Sequence, residues 1–148
     1  MQSNDPRTLL RQLDDPVHSE APPGWDRGLA EARFLELVRE LECRLGRRLE
    51  CETGALIQDA SFHGQILLPH EVLTGDFVVP LRASNFDRLA TILDAGLVQP
   101  QALAAILETL EEQGFTYVPS DLLHAPYDGA NSGVDGISTW AQRYFDWI

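Results

Sequence analysis

Two hydrophobic periods divide the chain. From Arg27 to Leu45 the apolar residues Ala30, Phe34, Leu37, Val38, Leu41 and Leu45 recur three or four positions apart, with Glu31, Glu36, Arg39, Glu40 and Arg44 mostly between them. That rhythm predicts a helix, capped by Asp26 at its start and by Gly46 at its end. Glu40 and Arg44 form a favourable i,i+4 pair on it. The stretch "VQPQALAAILETLEEQG" repeats the rhythm. Pro100 stands near the first helical position, Leu103, Ile106, Leu107 and Leu110 make the stripe, and Gly114 closes it.

Between the two helices the period drops to two. Strands are expected at about 49–52, 56–68, 76–83 and 89–93, separated by turn signals such as "PHEVLTGD" and "ASNFD". In the third of these, Phe77, Val79, Leu81 and Ala83 alternate with Val78, Pro80 and Arg82. Pro80 lacks a ladder donor, which points to an edge or a bulge. A short strand is expected at "FTYVP", and "STWAQRYFDWI" predicts a helix start, with Thr139 and Gln142 as a capping pair, followed by an extended tail.

These elements make an α+β fold with two main helices. Its sheet of four to five strands should be mainly antiparallel, because the turns between residues 49 and 93 are too short for crossover helices. One domain is expected over residues 27–148. Residues 1–26, polar and punctuated by Pro6, Pro16, Pro22 and Pro23, read as a flexible arm or linker whose end Trp25 anchors.

Charge changes this picture more than composition does. The chain carries 11 basic residues, all arginine, against 23 acidic ones, for a net charge of −12. The excess is uneven: residues 1–48 are nearly balanced, and beyond them only Arg82, Arg88 and Arg143 are basic. A surface this negative repels phosphate, so nucleic acid and anionic membranes are poor partners, whereas a basic protein would be attracted. No apolar run approaches the roughly 18 residues of a membrane span, and the N-terminus shows no secretory h-region. A cytoplasmic location follows, in which Cys43 and Cys51 stay reduced.

The most suggestive stretch is "DASFHGQ". Read as a strand, it places Asp59, Ser61, His63 and Gln65 on one face, and an aspartate, a serine and a histidine together raise the question of a catalytic triad. Residues two apart on a strand stand roughly 6.5–7 Å from each other. A nucleophile and its base need about 3.2 Å. The expected outcome is a polar sheet face, wetted or bound, and no nucleophile elbow occurs elsewhere. The histidines form no H-x-x-x-H pair, and the two cysteines do not have zinc-ligand spacing. A zinc site would have to be assembled from His63, His70 and a carboxylate. The loop "DGANSGVDG" fails the EF-hand frame, because Ala130 falls at position three and Thr139 at position twelve. No cofactor motif is present.

The combination of small size, acidity, a long first helix, "QDASFHGQI", "LRASNFDRLATI" and a "YFDWI" ending resembles small bacterial immunity proteins of polymorphic or contact-dependent toxin systems. That resemblance spans roughly residues 27–148 and implies a non-enzymatic protein that neutralises a toxin domain by binding it. It transfers no residue roles. The contact surface expected from the residues themselves comprises Asp59, Ser61 and His63, with Arg82, Asp87 and the loop from Asp128 to Asp135. Two other readings are a small hydrolase or metal-dependent enzyme using His63 with acidic neighbours, and a regulatory domain.

Overall fold

Five strands pair in chain order to form the central sheet: β1 (Glu50–Thr53), β2 (Phe62–Leu67), β3 (Pro80–Ser84), β4 (Leu89–Ile92) and β5 (Thr116–Tyr117). The computed structural model describes residues 5–131 and 137–148. The first three pairings are antiparallel, and β5 joins β4 in parallel. That last pairing needs a crossover, supplied by a long helix between residues 93 and 115.

Among the described residues the α-helices are α1 (Pro6–Gln12), α2 (Arg27–Leu45), α3 (Pro100–Glu112), α4 (Ser120–Leu123) and α5 (Trp140–Phe145). The α+β architecture and the mainly antiparallel sheet are as the periodicity predicts. Asp26 caps α2 by accepting from the Leu29 amide, and Gly46 ends it in the left-handed conformation at φ 68°. Arg44 does not pair with Glu40. It reaches instead to Glu108 and Glu112 of α3, tying the two long helices together.

The sheet is covered on both faces. Phe34, Leu37 and Leu41 of α2 and Ile106 and Leu110 of α3 pack on Ile66, Leu81, Ala83, Ala90 and Ile92. Burying each of the larger side chains contributes roughly 1.5–3 kcal/mol. Alternate residues point the other way, where Phe86 and Leu89 meet Leu10, Val118, Trp140, Tyr144 and Phe145. Among the described residues no helix is long and apolar enough to cross a membrane.

The first three strands start later than their alternation suggests, whereas β4 starts at Leu89 as expected. β3 begins at Pro80, a first-residue position where the missing donor costs no ladder bond, and Phe77 and Val78 before it are exposed. Residues 56–61, read as part of a strand, instead continue from a short helical turn over Gly54–Leu56 and hold an isolated bridge from Ala60 to Trp147. The segment read as an arm packs on the body. Leu10 is buried, and Asp14 meets Arg143, Tyr127 and the Ala130 amide.

Candidate functional site

A β-bulge decides where the polar residues of "DASFHGQ" go. Phe62 pairs with Ser84 and Gly64 with Ala83, so two steps along β2 match one along β3, and His63 is the extra residue. The bulge breaks the period of two. His63 falls on the α2 side, between the rings of Phe34 and Trp25, whose centroids lie 6.0 and 5.7 Å from the imidazole. Gln65 lies on the opposite side, bonded to Glu52 and Arg82. The expected polar face shared by Asp59, Ser61, His63 and Gln65 therefore does not form.

Nor is that stretch open to water, apart from Asp59. Ser61 is fully buried: its hydroxyl donates to the Asp146 carbonyl at 3.1 Å and accepts from the Asp146 amide at 3.2 Å. Asp59 is exposed at φ 53°, and its carbonyl accepts from the Ile148 amide. Ser61 and Asp59 thus fasten the C-terminal tail, and no hydrogen bond links Ser61 to His63. Arg82 also belongs to the tail. Its guanidinium lies 4.5 Å from the Phe62 ring centroid and 4.9 Å from that of Trp147, and it donates to Gln65 and the Phe145 carbonyl. Asp128 pairs with Arg11 at the surface. Asp135 lies outside the described residues. The expected contact surface is therefore divided: of its members only His63 and Asp87 line one cleft.

That cleft, of about 320 Å³, opens between the turn before α2, the first turns of α2 and the β3–β4 hairpin. Pro22, Trp25, Leu29 and Phe115 supply apolar walls, and Arg33, His63, Asn85, Asp87 and Arg88 supply polar groups. The hairpin bends tightly. The Leu89 amide donates to the Phe86 carbonyl, and the central residues Asp87 and Arg88 have φ of 45° and 58°, the left-handed pair that a type I′ turn requires. Such turns usually hold Asn-Gly or Asp-Gly. An arginine there carries strain on the order of 1–2 kcal/mol.

Behind the cleft, Asn85 fixes the chemistry of His63. Its side-chain nitrogen donates to the carbonyls of Glu20 at 2.8 Å and Ala60 at 3.1 Å, so its oxygen is the acceptor that faces His63 Nδ1 at 3.1 Å. Nδ1 therefore carries the hydrogen in the neutral ring, and Nε2 is left as a bare acceptor. His63 is only 4% exposed, and Nε2 is buried with no hydrogen-bond partner among the described residues. Burial pushes its pKa down from 6.5 to about 4. The Asn85 hydrogen bond pulls the other way, Arg27 reinforces the fall, and Glu31 and the Ala30 carbonyl oppose it. The ring is neutral at pH 7. Arg88 Nε is a second buried atom without a hydrogen-bond partner among the described residues, although Nη2 donates to the Gln113 carbonyl.

The sequence reading singled out His63 and Asp87 but not Trp25, Arg33 or Phe115 as site residues. Asn85 and Arg88 stand in "ASNFDR", whose expected turn the structure shows, but the lack of glycine hides the left-handed turn type that aims them. His63 and His70 do not converge, and among the described residues no three His, Cys, Asp or Glu side chains gather in a way that could hold a metal ion. No protein-family model, curated protein or solved structure matches the chain.

Proposed function

We infer that the protein is a non-enzymatic cytoplasmic binding protein that captures a basic protein partner, a toxin domain neutralised by direct binding. The observation that carries this reading is the distribution of its charge. Arg11, Arg27, Arg44, Arg47, Arg82 and Arg143 each engage a carboxylate of the same chain. Much of the small positive complement is therefore neutralised internally. Exposed acids including Glu36, Glu40, Glu50, Asp94, Glu111 and Asp121 have no ion-pair partner among the described residues. Such a field accelerates encounter with a cationic protein and weakens as salt rises.

The site geometry supports binding over hydrolysis. Ser61 is committed to the backbone of the tail, and His63 Nδ1 to Asn85, so no activated nucleophile is assembled. The cleft beside the strained hairpin, lined by both arginine and aspartate side chains, supplies a specific docking feature. The test is to mix the purified chain with the product of its neighbouring gene at low and high salt. Complex formation should be measured by calorimetry and stopped-flow association. A complex whose association rate falls steeply with salt is expected. Absence of any complex at low salt overturns the reading.

A further inference from the structure

The partner's contribution at the cleft can be narrowed from the hydrogen-bonding of its walls; the argument rests on the binding role above. His63 Nε2 is an acceptor fixed in that state by Asn85, and the only way to satisfy it is with a donor. Leaving such a group unpaired costs free energy in the unbound protein, which a matching donor recovers on binding.

The surroundings restrict what kind of donor fits. Arg33 and Arg88 line the cleft, and neither has an ion-pair partner among the described residues. Two carboxylates line it as well, Asp26, which caps α2 through the Leu29 amide, and the exposed Asp87. With two guanidinium groups against two carboxylates, the walls carry no net negative charge to offset desolvating a lysine or arginine head. Trp25, Leu29 and Phe115 form a wall of flat and aliphatic surface, larger than a serine or threonine side chain needs. Guanidinium groups also stack on aromatic faces, and tyrosine and tryptophan lead among interface anchors.

The entry route is also visible. Of the two rings beside the imidazole, Phe34 is fully buried in the core and cannot move cheaply. Trp25 is half-buried on a turn closed by its own amide to the Pro22 carbonyl, with Gly24 at φ 77°. Arg27 stacks on its indole at 5.3 Å. Of the two rings, Trp25 is therefore the one whose displacement would leave the sheet intact.

We propose that the cleft receives a tyrosine or tryptophan side chain of the partner protein, whose neutral O–H or N–H donates to His63 Nε2 as Trp25 swings aside. The test titrates N-acetyl-tyrosinamide, N-acetyl-tryptophanamide and N-acetyl-phenylalaninamide into the full-length protein while long-range ¹H–¹⁵N NMR follows the His63 imidazole. The tyrosine and tryptophan amides should shift Nε2 saturably, and the phenylalanine amide should bind at least about tenfold more weakly. Equal binding of the phenylalanine amide, or no saturable shift from any probe, overturns the proposal. So does tighter binding of N-acetyl-argininamide in a parallel titration.

His63→Phe keeps a ring of similar size and removes the acceptor. With its melting temperature checked, it should lose the preference for the two donor amides, and retention of that preference also overturns the proposal. These outcomes are separable from the partner test. A salt-sensitive complex that forms while the amides fail to bind leaves the capture reading standing and removes only this one.

Discussion

Arg143 Nε donates to Asp14 Oδ1 across 2.8 Å, with the two side chains only 0% and 2% exposed. The remaining guanidinium hydrogens reach the carbonyls of Asp15, His18 and Ser19. One arginine on α5 therefore holds the whole loop that follows α1. Buried pairs of this kind are costly to break, because removing one partner strands the other charge without water.

Asp14→Ala should accordingly destabilise the protein by about 3–5 kcal/mol, measured by urea unfolding. Limited proteolysis should then cut within residues 15–25 before the rest of the chain. An effect below about 1 kcal/mol would show that the loop is held by something other than this pair.

His63 makes stability depend on pH in a defined window. Its folded pKa of about 4 lies below the ordinary 6.5, so between these values the unfolded chain binds the extra proton. Stability therefore rises with pH from about 4 to 6.5 and is lost as pH falls through that range, by up to about 3 kcal/mol. Below about 4 both states carry the proton, and this contribution no longer changes. Urea midpoints measured across that range should show the slope, and His63→Phe should flatten it.

Much of the fold was legible because long helices and alternating strands repeat their signal over many residues. Phe34, Leu37 and Leu41 mark the buried face of α2 without ambiguity, and Asp26 and Gly46 mark its ends. The candidate site was not legible in the same way. One inserted residue at the bulge moved His63 to the α2 side, and no period-two pattern can register such an insertion. The sequence marks Arg143 only as one of three basic residues beyond position 48, because its partner lies 129 positions away. Long-range pairs of single residues leave no periodic trace.

Arg82 and Asp87 were grouped as surface residues, yet the structure separates their expected effects. Arg82→Ala removes hydrogen bonds to Gln65 and the Phe145 carbonyl along with the packing between Phe62 and Trp147. A loss of about 2–3 kcal/mol is expected. Asp87→Ala touches an exposed side chain, but it swaps an aspartate for a residue that tolerates positive φ less well. Its cost should stay near 1 kcal/mol. Thermal unfolding of the two variants side by side checks the order.

The hairpin predicts a conflict between stability and binding. Arg88→Gly relieves the left-handed strain at φ 58° and removes the buried, unpaired Nε, while losing one bond to Gln113 and the contact with Phe115. The balance favours the glycine by about 1 kcal/mol, which corresponds to a melting temperature about 2–4 °C higher. The same change removes a guanidinium that would stack on an aromatic ring entering the cleft, so binding of the tyrosine and tryptophan amides should weaken as stability rises.

Gly64 tests how closely α2 lies against the sheet. A Cβ at this position would stand 2.7 Å from three atoms of the Phe34 ring, nearer than carbon atoms approach without displacement. Phe34 is fully buried and belongs to the main core, so it has little room to retreat. Gly64→Ala should therefore cost about 1–3 kcal/mol, although alanine suits a strand better than glycine does. A smaller side chain at position 34 should make room. Phe34→Leu alone opens a void, but in the double variant the new methyl occupies part of it, so the two losses should sum to less than their separate values. A double-mutant cycle by urea unfolding measures that coupling. Because His63 adjoins Gly64 and packs against the same Phe34 ring, the single Gly64→Ala variant should also shift the His63 imidazole resonances, linking the packing of the helix to the floor of the cleft.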